Sequence, residues 1–293
     1  MAHHWGVDSF NPADHMVRVP AAHRRAGEAA GLRETLFDYV TRRAGREPAF
    51  WGRYLNNGLP SGLRPGEADF IFARSEGRCR VALVYNGVRG EPAGAAAGRA
   101  GGEAASREAV TLAIAQGVPT YARIYLDLEG WRVAPEFLEG WWEGISASPY
   151  AGAGGIYGRG AEVRPLPRSH MPDLSRRPHS SGWAARVPAA EDRAATRAFP
   201  GLIADLAAGR SPRPQSRYIW SNIPRRIDQH GDTPAGTQII PDSFGAVGPA
   251  GAILSRTVLW QYRFGAFWAE GSSRGMVDLD LALDVAYAEM WHA

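Results

Sequence analysis

The first 160 residues alternate between short apolar runs and longer segments whose apolar residues recur at helical spacing. Apolar runs of roughly four to eight residues bounded by turn residues predict buried strands, and apolar residues three and four apart predict helices. The predicted strands are Trp5–Phe10, Phe50–Leu55, Arg80–Tyr85, Thr120–Asp127 and Ala153–Gly158, and the predicted helices are Gly27–Ala44, Pro65–Ser75, Glu103–Gln116 and Pro135–Ser146. This alternation predicts parallel βαβ units.

After Gly160 the alternation becomes irregular. Residues 164–186 are rich in Pro, Arg and Ser, which is typical of loop, and a helix is predicted at about 189–208. Further strands are predicted at Tyr218–Ser221, Thr237–Ile240 and Thr257–Tyr262, and Val277–Asp280 precedes a C-terminal helix that runs to about Trp291. We expect one domain, residues 1–293, in which about 160–216 is an insertion or an irregular βα segment.

Polar and aromatic residues stand at the C-terminal end of nearly every predicted strand. They are Asp8, Arg53, Tyr54, Tyr85, Asn86, Asp127, Glu129, Tyr157, Trp220, Gln261 and Tyr262. The first strand is not followed by the glycine fingerprint of a nucleotide-binding open sheet, and no phosphate-binding loop occurs. In a barrel, by contrast, all these strand ends meet on one face. The sequence therefore predicts an α/β fold, a single irregular TIM-type barrel with five regular βα units and an irregular last third.

Two acids, Asp127 and Glu129, end the fourth predicted strand. Residues two apart on a strand share a face, and their carboxylates would lie roughly 6 to 7 Å apart. Glycoside cleavage needs one protonated and one ionised carboxyl, and crowding with Asp8 would raise one pKa. That spacing is longer than the roughly 5 to 5.5 Å of a direct nucleophile pair, and it suits attack by water or assistance by the substrate.

Structural roles are the alternative for each of these residues. One acid of the pair would form a salt bridge with Arg53 or Arg123. Asp8 would cap the turn at Asn11–Pro12, and Gln261 would only bond backbone at the barrel rim. The aspartates 278 and 280 would be charges favoured at the N-terminus of the last helix.

Four short motifs in order resemble a known family. They are Gly6-Val7-Asp8, Asp127-x-Glu129, Trp260-Gln261-Tyr262 and Val277-Asp278. Their order resembles the chalaropsis-type lysozymes (glycoside hydrolase family twenty-five). Phe50–Leu55 and Ile124–Asp127 are more similar still to the glycoside-hydrolase-like TIM-barrel domains of actinobacteria, a family without established function. The resemblance covers about Trp5 to Ala288.

The resemblance implies a role for each acid. Glu129 would be the general acid and Asp127 would assist the 2-acetamido group of the substrate, while Asp8 and Asp278 would line the same cleft. We expect sugar contacts from Arg53, Tyr54, Tyr85, Tyr157, Trp220, Trp260, Gln261 and Tyr262, with Trp131 as a further stacking platform. The predicted function is cleavage of peptidoglycan or a related amino-sugar glycan. The alternative is a catalytically silent barrel that binds glycan or an anionic partner through the same cleft.

Charge and the remaining residues restrict the other classes of function. A net charge of +3 is too small to indicate nucleic-acid binding. Thirteen arginines against five acids between Arg159 and Arg226 suggest an anionic polymer as partner, or a solvated surface. The single cysteine, Cys79, and the scattered histidines predict no metal or cofactor. No apolar run approaches 18 residues and no signal pattern is visible, so we expect a cytoplasmic protein or one delivered to the cell wall by another system.

Overall fold

The computed structural model describes residues 3–56, 59–88, 92–128, 133–158, 219–221, 226–227, 257–272 and 275–293. The strands are β1 (His3–Asp8), β2 (Met16–Arg18), β3 (Arg33–Thr35), β4 (Phe50–Leu55), β5 (Arg80–Tyr85), β6 (Ile124–Asp127), β7 (Gly154–Gly158), β8 (Ile219–Ser221), β9 (Arg226–Ile227), β10 (Thr257–Ala266) and β11 (Val277–Leu283). The helices are α1 (Leu36–Ala44), α2 (Glu67–Arg74), α3 (Arg99–Ala115), α4 (Pro135–Ser146) and α5 (Asp284–Ala288), with short 3-10 turns at Ala21–His23 and Gly94–Ala97.

Eight of the described strands pair in a ring. The order is β1, β4, β5, β6, β7, β8, β10 and β11, and β11 pairs again with β1. All neighbours in the ring are parallel except β11, which runs antiparallel to β1 and β10. The fold is therefore mixed α/β with a curled, mostly parallel sheet, compatible with the predicted TIM-type barrel.

Side chains alternate between the inside and the outside of the ring, as the pleat of a strand requires. The inward side chains include Phe50, Tyr54, Ala82, Val84, Tyr125, Tyr157, Trp220, Leu259 and Ala282, which form one buried cluster. The outward ones include Val7, Trp51, Leu83, Tyr85, Leu126, Trp260, Tyr262 and Leu281, which form a second cluster under the helices. The inner cluster fills the lumen beneath the C-terminal strand ends, so a site at those ends has a packed floor.

An ion pair lies in the outer layer between β4 and α2. The Arg53 Nε lies 2.6 Å from Glu67 Oε1, and both side chains are almost completely buried. Arg53 also donates to the carbonyls of Ser9 and Gly62, and Glu67 accepts the backbone N–H of Ala13. Because Ser9 and Ala13 follow β1 and Gly62 follows β4, this pair fixes two connections at the C-terminal end of the ring.

The described strands and helices follow the first half of the prediction closely. The four predicted helices are present, although α1 begins only at Leu36, after the two-stranded sheet of β2 and β3. Thr35 caps α1 by accepting the backbone N–H of Asp38. The helix predicted at about 189–208 and the strand at Thr237–Ile240 lie outside the described residues.

The prediction missed a strand at the C-terminal end and made the last helix too long. Residues 277–283 form strand β11, and the helix that follows is short, from Asp284 to Ala288. The alternation of Val277, Leu279 and Leu281 with two aspartates has the period of a strand. None of the helices in the described part of the chain is long and apolar enough to cross a membrane.

Helices α3 and α4 touch through glycines. A Cβ placed on Gly140 would lie 2.0 Å from the Arg99 carbonyl oxygen, and one on Gly102 would lie 1.9 Å from that of Phe137. The two backbones therefore approach more closely than any side chain would permit.

We expect Gly140→Ala to destabilise the protein by about 1 to 3 kcal/mol, because the added methyl overpacks the α3–α4 contact. Alanine is the better helix former by about 1 kcal/mol, so a gain in stability would be expected without that contact. Chemical denaturation measures the difference. Thr111→Ala on the exposed face of α3 is the control, and an equal or higher midpoint for Gly140→Ala would contradict the close packing.

Candidate functional site

Asp8 stands at the C-terminal end of β1, inside the ring, and only 2% of its surface is exposed. Its Oδ1 accepts the Tyr54 hydroxyl at 3.1 Å, and its Oδ2 accepts the Gln261 Nε2 at 2.6 Å. Donors from β4 and β10 thus converge on one carboxyl of β1. Two donors that hold a buried carboxylate offset part of the cost of burying its charge.

Gln261 connects two acids. Its Nε2 also donates to Asp278 Oδ2 at 3.0 Å, while its Oε1 accepts the Tyr157 hydroxyl at 3.1 Å. The Tyr157 bond fixes which end of the amide faces the acids. The other oxygen of Asp278, Oδ1, accepts the backbone N–H of Gly265 at 2.6 Å. The β1–β11 register sets Asp8 directly opposite Asp278.

Asp280 lies one layer deeper and is fully buried. Its Oδ1 accepts the Trp220 indole N–H at 3.0 Å. The Trp220 ring is held edge-on by Tyr125 and Tyr157, with centroid distances of 5.5 and 5.1 Å. Trp220 therefore fills the centre of the ring directly beneath the acids.

A glycine makes room for this arrangement. A Cβ on Gly52 would lie 2.5 Å from the Asp8 Cβ and 2.8 Å from the Trp220 Cη2. Any side chain at position 52 would therefore displace the acid or the indole.

Burial raises the pKa of both inner acids. Desolvation is the largest cause for Asp8 and raises its pKa to about 6, against hydrogen bonds from Asp280, Tyr54 and Gln261 and the charge of Arg53. Desolvation and then the charge of Asp8 raise the pKa of Asp280 well above its usual range. Asp8 therefore stabilises the fold most below the usual aspartate pKa and loses that contribution as the pH rises through about 6, whereas Asp280 loses its contribution as the pH rises through its own raised pKa.

Asp127 ends β6 on the other side of the ring. It is two residues beyond Tyr125, so it shares the inward face, and it is partly exposed. It stands beside Tyr157 in the β6–β7 register, and the next residue, Leu128, donates its N–H to the Tyr157 carbonyl at 2.9 Å. The other predicted member of the pair, Glu129, lies outside the described residues, as does Trp131.

Six of the predicted site residues share the inward face of the ring at the C-terminal strand ends. They are Asp8, Tyr54, Asp127, Tyr157, Gln261 and Asp278. Trp220 shares that face but lies below them, completely buried.

Four other predicted sugar contacts are on the outward face. Arg53 is bound to Glu67, and the Tyr85 hydroxyl donates to Glu108 on α3 at 2.9 Å. The ring of Trp260 packs against that of Tyr262, whose hydroxyl accepts the Trp5 indole N–H at 3.1 Å. These four side chains alternate with inward neighbours, Tyr54, Gln261 and the end of β5, so their position follows from strand parity.

The structural alternatives can be compared with these contacts. Arg53 pairs with Glu67, and Arg123 pairs with Glu289 at 2.6 Å. The turn after β1 is held by Ser9, whose Oγ accepts the N–H of Asn11, rather than by the Asp8 side chain. Asp278 belongs to β11 and not to the first turn of a helix.

Two residues of this region were not among the predicted site residues. Asp280 carries a strand signal, since it alternates with Leu279 and Leu281. Phe10 is 48% exposed, and its ring stacks on Tyr54 with centroids 5.0 Å apart. The sequence spacing could have indicated Phe10, because it stands two residues beyond Asp8 and residues two apart along a strand share a face. In the described ranges, no group of three or more His, Cys, Asp or Glu is arranged to hold a metal ion.

Known structures are similar to this chain. An uncharacterized protein of B. stearothermophilus is similar at 21% identity with a TM-score of 0.55, covering 98% of this chain and 99% of that one. The Mycobacterium tuberculosis Tat-secreted protein Rv2525c, in complex with L-tartrate, aligns at 13% identity over 96% of each chain with a TM-score of 0.47. The Streptococcus pneumoniae autolysin LytC, in complex with a synthetic peptidoglycan ligand, aligns at 10% identity over 96% of this chain and 47% of its own, with a TM-score of 0.42.

No curated protein matches the chain. The family of Rv2525c-like, glycoside hydrolase-like domains matches residues 47–235. That range is more than half of the 293 residues and includes Asp127, Glu129, Tyr157 and Trp220. The match confirms the resemblance to a glycoside-hydrolase-like family, and the chain therefore belongs to the family of Rv2525c-like, glycoside hydrolase-like domains.

Proposed function

We propose that this domain cleaves peptidoglycan or a related amino-sugar glycan by carboxylate acid/base catalysis. The observation that carries the proposal is the group of carboxyls at the C-terminal strand ends. Asp8 on β1, Asp127 on β6 and Asp278 on β11 approach one mouth from different strands. In barrels of this type, side chains at those ends perform the chemistry.

The proposed reaction follows from the chemistry of amino sugars. Glu129 donates a proton to the glycosidic oxygen as the bond from that oxygen to C1 breaks. The carbonyl oxygen of the 2-acetamido group bonds to C1, and Asp127 accepts a hydrogen bond from the acetamido N–H. Water then attacks C1 and breaks the new bond between C1 and the acetamido oxygen. One proton of that water passes to the Glu129 carboxylate, which restores the acid. Asp8 and Asp278 stabilise the positive charge that develops at the sugar.

Aromatic groups at the mouth supply the binding part of the proposal. Phe10 offers one free ring face, since the other is covered by Tyr54, whose hydroxyl is in turn held by Asp8. A ring in a fixed orientation is a good platform for the apolar face of a sugar. Phe10 therefore joins the predicted contacts Tyr54 and Tyr157 as a substrate-binding candidate.

The first test removes the acid. We expect Glu129→Gln to lower the release of reducing ends from purified peptidoglycan by about 100-fold to 10,000-fold, because glutamine keeps the shape but has no proton to donate. Asp127→Asn should also lower the rate, with a larger effect on kcat than on KM. The measurement is muropeptide release followed by chromatography.

Matched controls lie at exposed positions on the opposite end of the barrel. Glu76→Gln, in the turn before β5, and Asp284→Asn, at the first residue of α5, make the same chemical changes away from the mouth. Both should retain the wild-type rate. If the wild-type protein releases no reducing ends from any peptidoglycan of several bacterial species, hydrolysis is ruled out as the function.

The second test removes the sugar platform. Phe10→Ala should raise KM by about tenfold with little change in kcat, which corresponds to a loss of about 1.4 kcal/mol of binding. Tyr121→Ala is the control, because Tyr121 is 44% exposed and precedes β6 at the opposite end of the barrel. Equal KM values for the two variants would exclude a sugar-binding role for Phe10.

A second candidate function is glycan binding without turnover. The hydrogen bonds of two acids favour it. Both oxygens of Asp278 and both oxygens of Asp8 already accept hydrogen bonds from other groups of the protein. Saturable binding of soluble peptidoglycan fragments by the wild type and by Glu129→Gln, with no product from either, would support it. The arginine-rich stretch that suggests an anionic polymer lies almost entirely outside the described residues.

A further inference from the structure

The buried acids Asp8 and Asp280 receive unequal numbers of hydrogen bonds from their neighbours. The two acids lie on adjacent strands, two residues apart along the β1–β11 register, both are almost completely buried, and each shifts the pKa of the other. Asp280 Oδ1 accepts the Trp220 indole N–H, but Oδ2 receives no hydrogen bond from any residue that the structure describes. Two ionised carboxylates in contact and without solvent would repel each other strongly. One of them therefore carries a proton.

The donors around the two acids decide which one it is. Asp8 accepts from the hydroxyl of Tyr54 and the amide of Gln261, one on each oxygen. Asp280 accepts from one indole only. The carboxyl with more donors is the better anion, and the carboxyl with an unpaired oxygen is the better place for a proton.

We propose that Asp280 is a neutral hydrogen-bond donor that holds Asp8 as an anion at the floor of the cleft. The proton on Asp280 Oδ2 points to the Asp8 carboxylate and gives it a third donor. Asp280 thus positions and ionises another residue without touching the substrate. This role rests on the proposed function only in so far as Asp8 takes part in catalysis.

The other groups that face the pair agree with this assignment. On β4, Arg53 lies close enough for its charge to favour the Asp8 anion, and Tyr54 donates to it. On β11, the charge of Asp278 disfavours an anion at Asp280. On β10, the pKa of the Tyr262 hydroxyl is raised by burial, so it stays neutral beside Asp280. The charges on these neighbours therefore favour an anion at position 8 and a neutral group at position 280.

Two substitutions at one position test the donor. Asparagine at position 280 keeps an N–H donor toward Asp8, whereas leucine has a similar volume and no donor. We expect Asp280→Asn to leave the Asp8 pKa within about one unit of the wild-type value, and Asp280→Leu to raise it by more than one unit, a tenfold change in proton affinity. The measurement is carboxyl-detected NMR on protein labelled with 13C-aspartate, titrated from pH 4 to 9.

The NMR titration also counts protons independently of activity. In the wild type one carboxyl should stay protonated after Asp8 and the exposed carboxyls have ionised, and its resonance should disappear in Asp280→Asn. If Asp280→Leu does not fold, Asp8→Asn replaces it, and the high titration of Asp280 should then move down because the Asp8 charge is gone. The proposal is overturned if the resonance lost in Asp280→Asn titrates below pH 5, or if Asp8→Asn leaves the Asp280 titration unchanged.

Activity gives a second readout where the hydrolase assay succeeds. Loss of a donor to the Asp8 carboxylate raises its pKa, so the acid limb of the pH–rate profile should move to higher pH in Asp280→Leu. The limb should return to the wild-type position in Asp280→Asn. An inactive wild-type protein would contradict the proposed function and leave the NMR titration to decide the role of Asp280.

Discussion

The antiparallel pairing of β11 with β1 and β10 is the constraint on which the acidic mouth depends. It closes the ring, and its register brings Asp278 opposite Asp8. The same pairing places Gln261 beside Asp280, so one amide reaches acids on two strands. Without the β11–β1 pairing, Asp8 and Asp278 would belong to strands at opposite edges of an open sheet. The acids of β1 and β11 therefore affect one another because the fold pairs their strands, and not because they are close in the sequence.

Sequence periodicity predicted much of this arrangement. The apolar runs that became β1, β4, β5, β6 and β7 were recognisable because each is bounded by turn residues, and polar residues at their ends predicted the face of the site. Side-chain parity was harder to use. Tyr54 and Arg53 are adjacent in the chain, but one faces the lumen and the other an ion pair with Glu67. Only the register of the closed ring decides which of two neighbours points inward.

The end of the chain shows a different limit of sequence reading. The run from Val277 to Leu283 alternates apolar and polar residues, and both aspartates were explained equally well as charges before a helix. The burial of Asp280 inside the ring depends on partners that lie more than fifty residues away, such as Trp220, and no local pattern contains that information. Asp280, which a local pattern could not assign, has a pKa raised well above its usual range by burial and by the charge of Asp8.

The position of Trp220 determines how the acids communicate with solvent. Its indole closes the lumen under Asp8 and Asp280, and Tyr125 and Tyr157 seal its edges. Among the described residues, these side chains therefore close the lumen below the carboxyls, and the mouth above them is the opening that a ligand would occupy. A bound ligand that covered the mouth would isolate the inner acids from bulk solvent, and their protonation state would be fixed at the moment of binding.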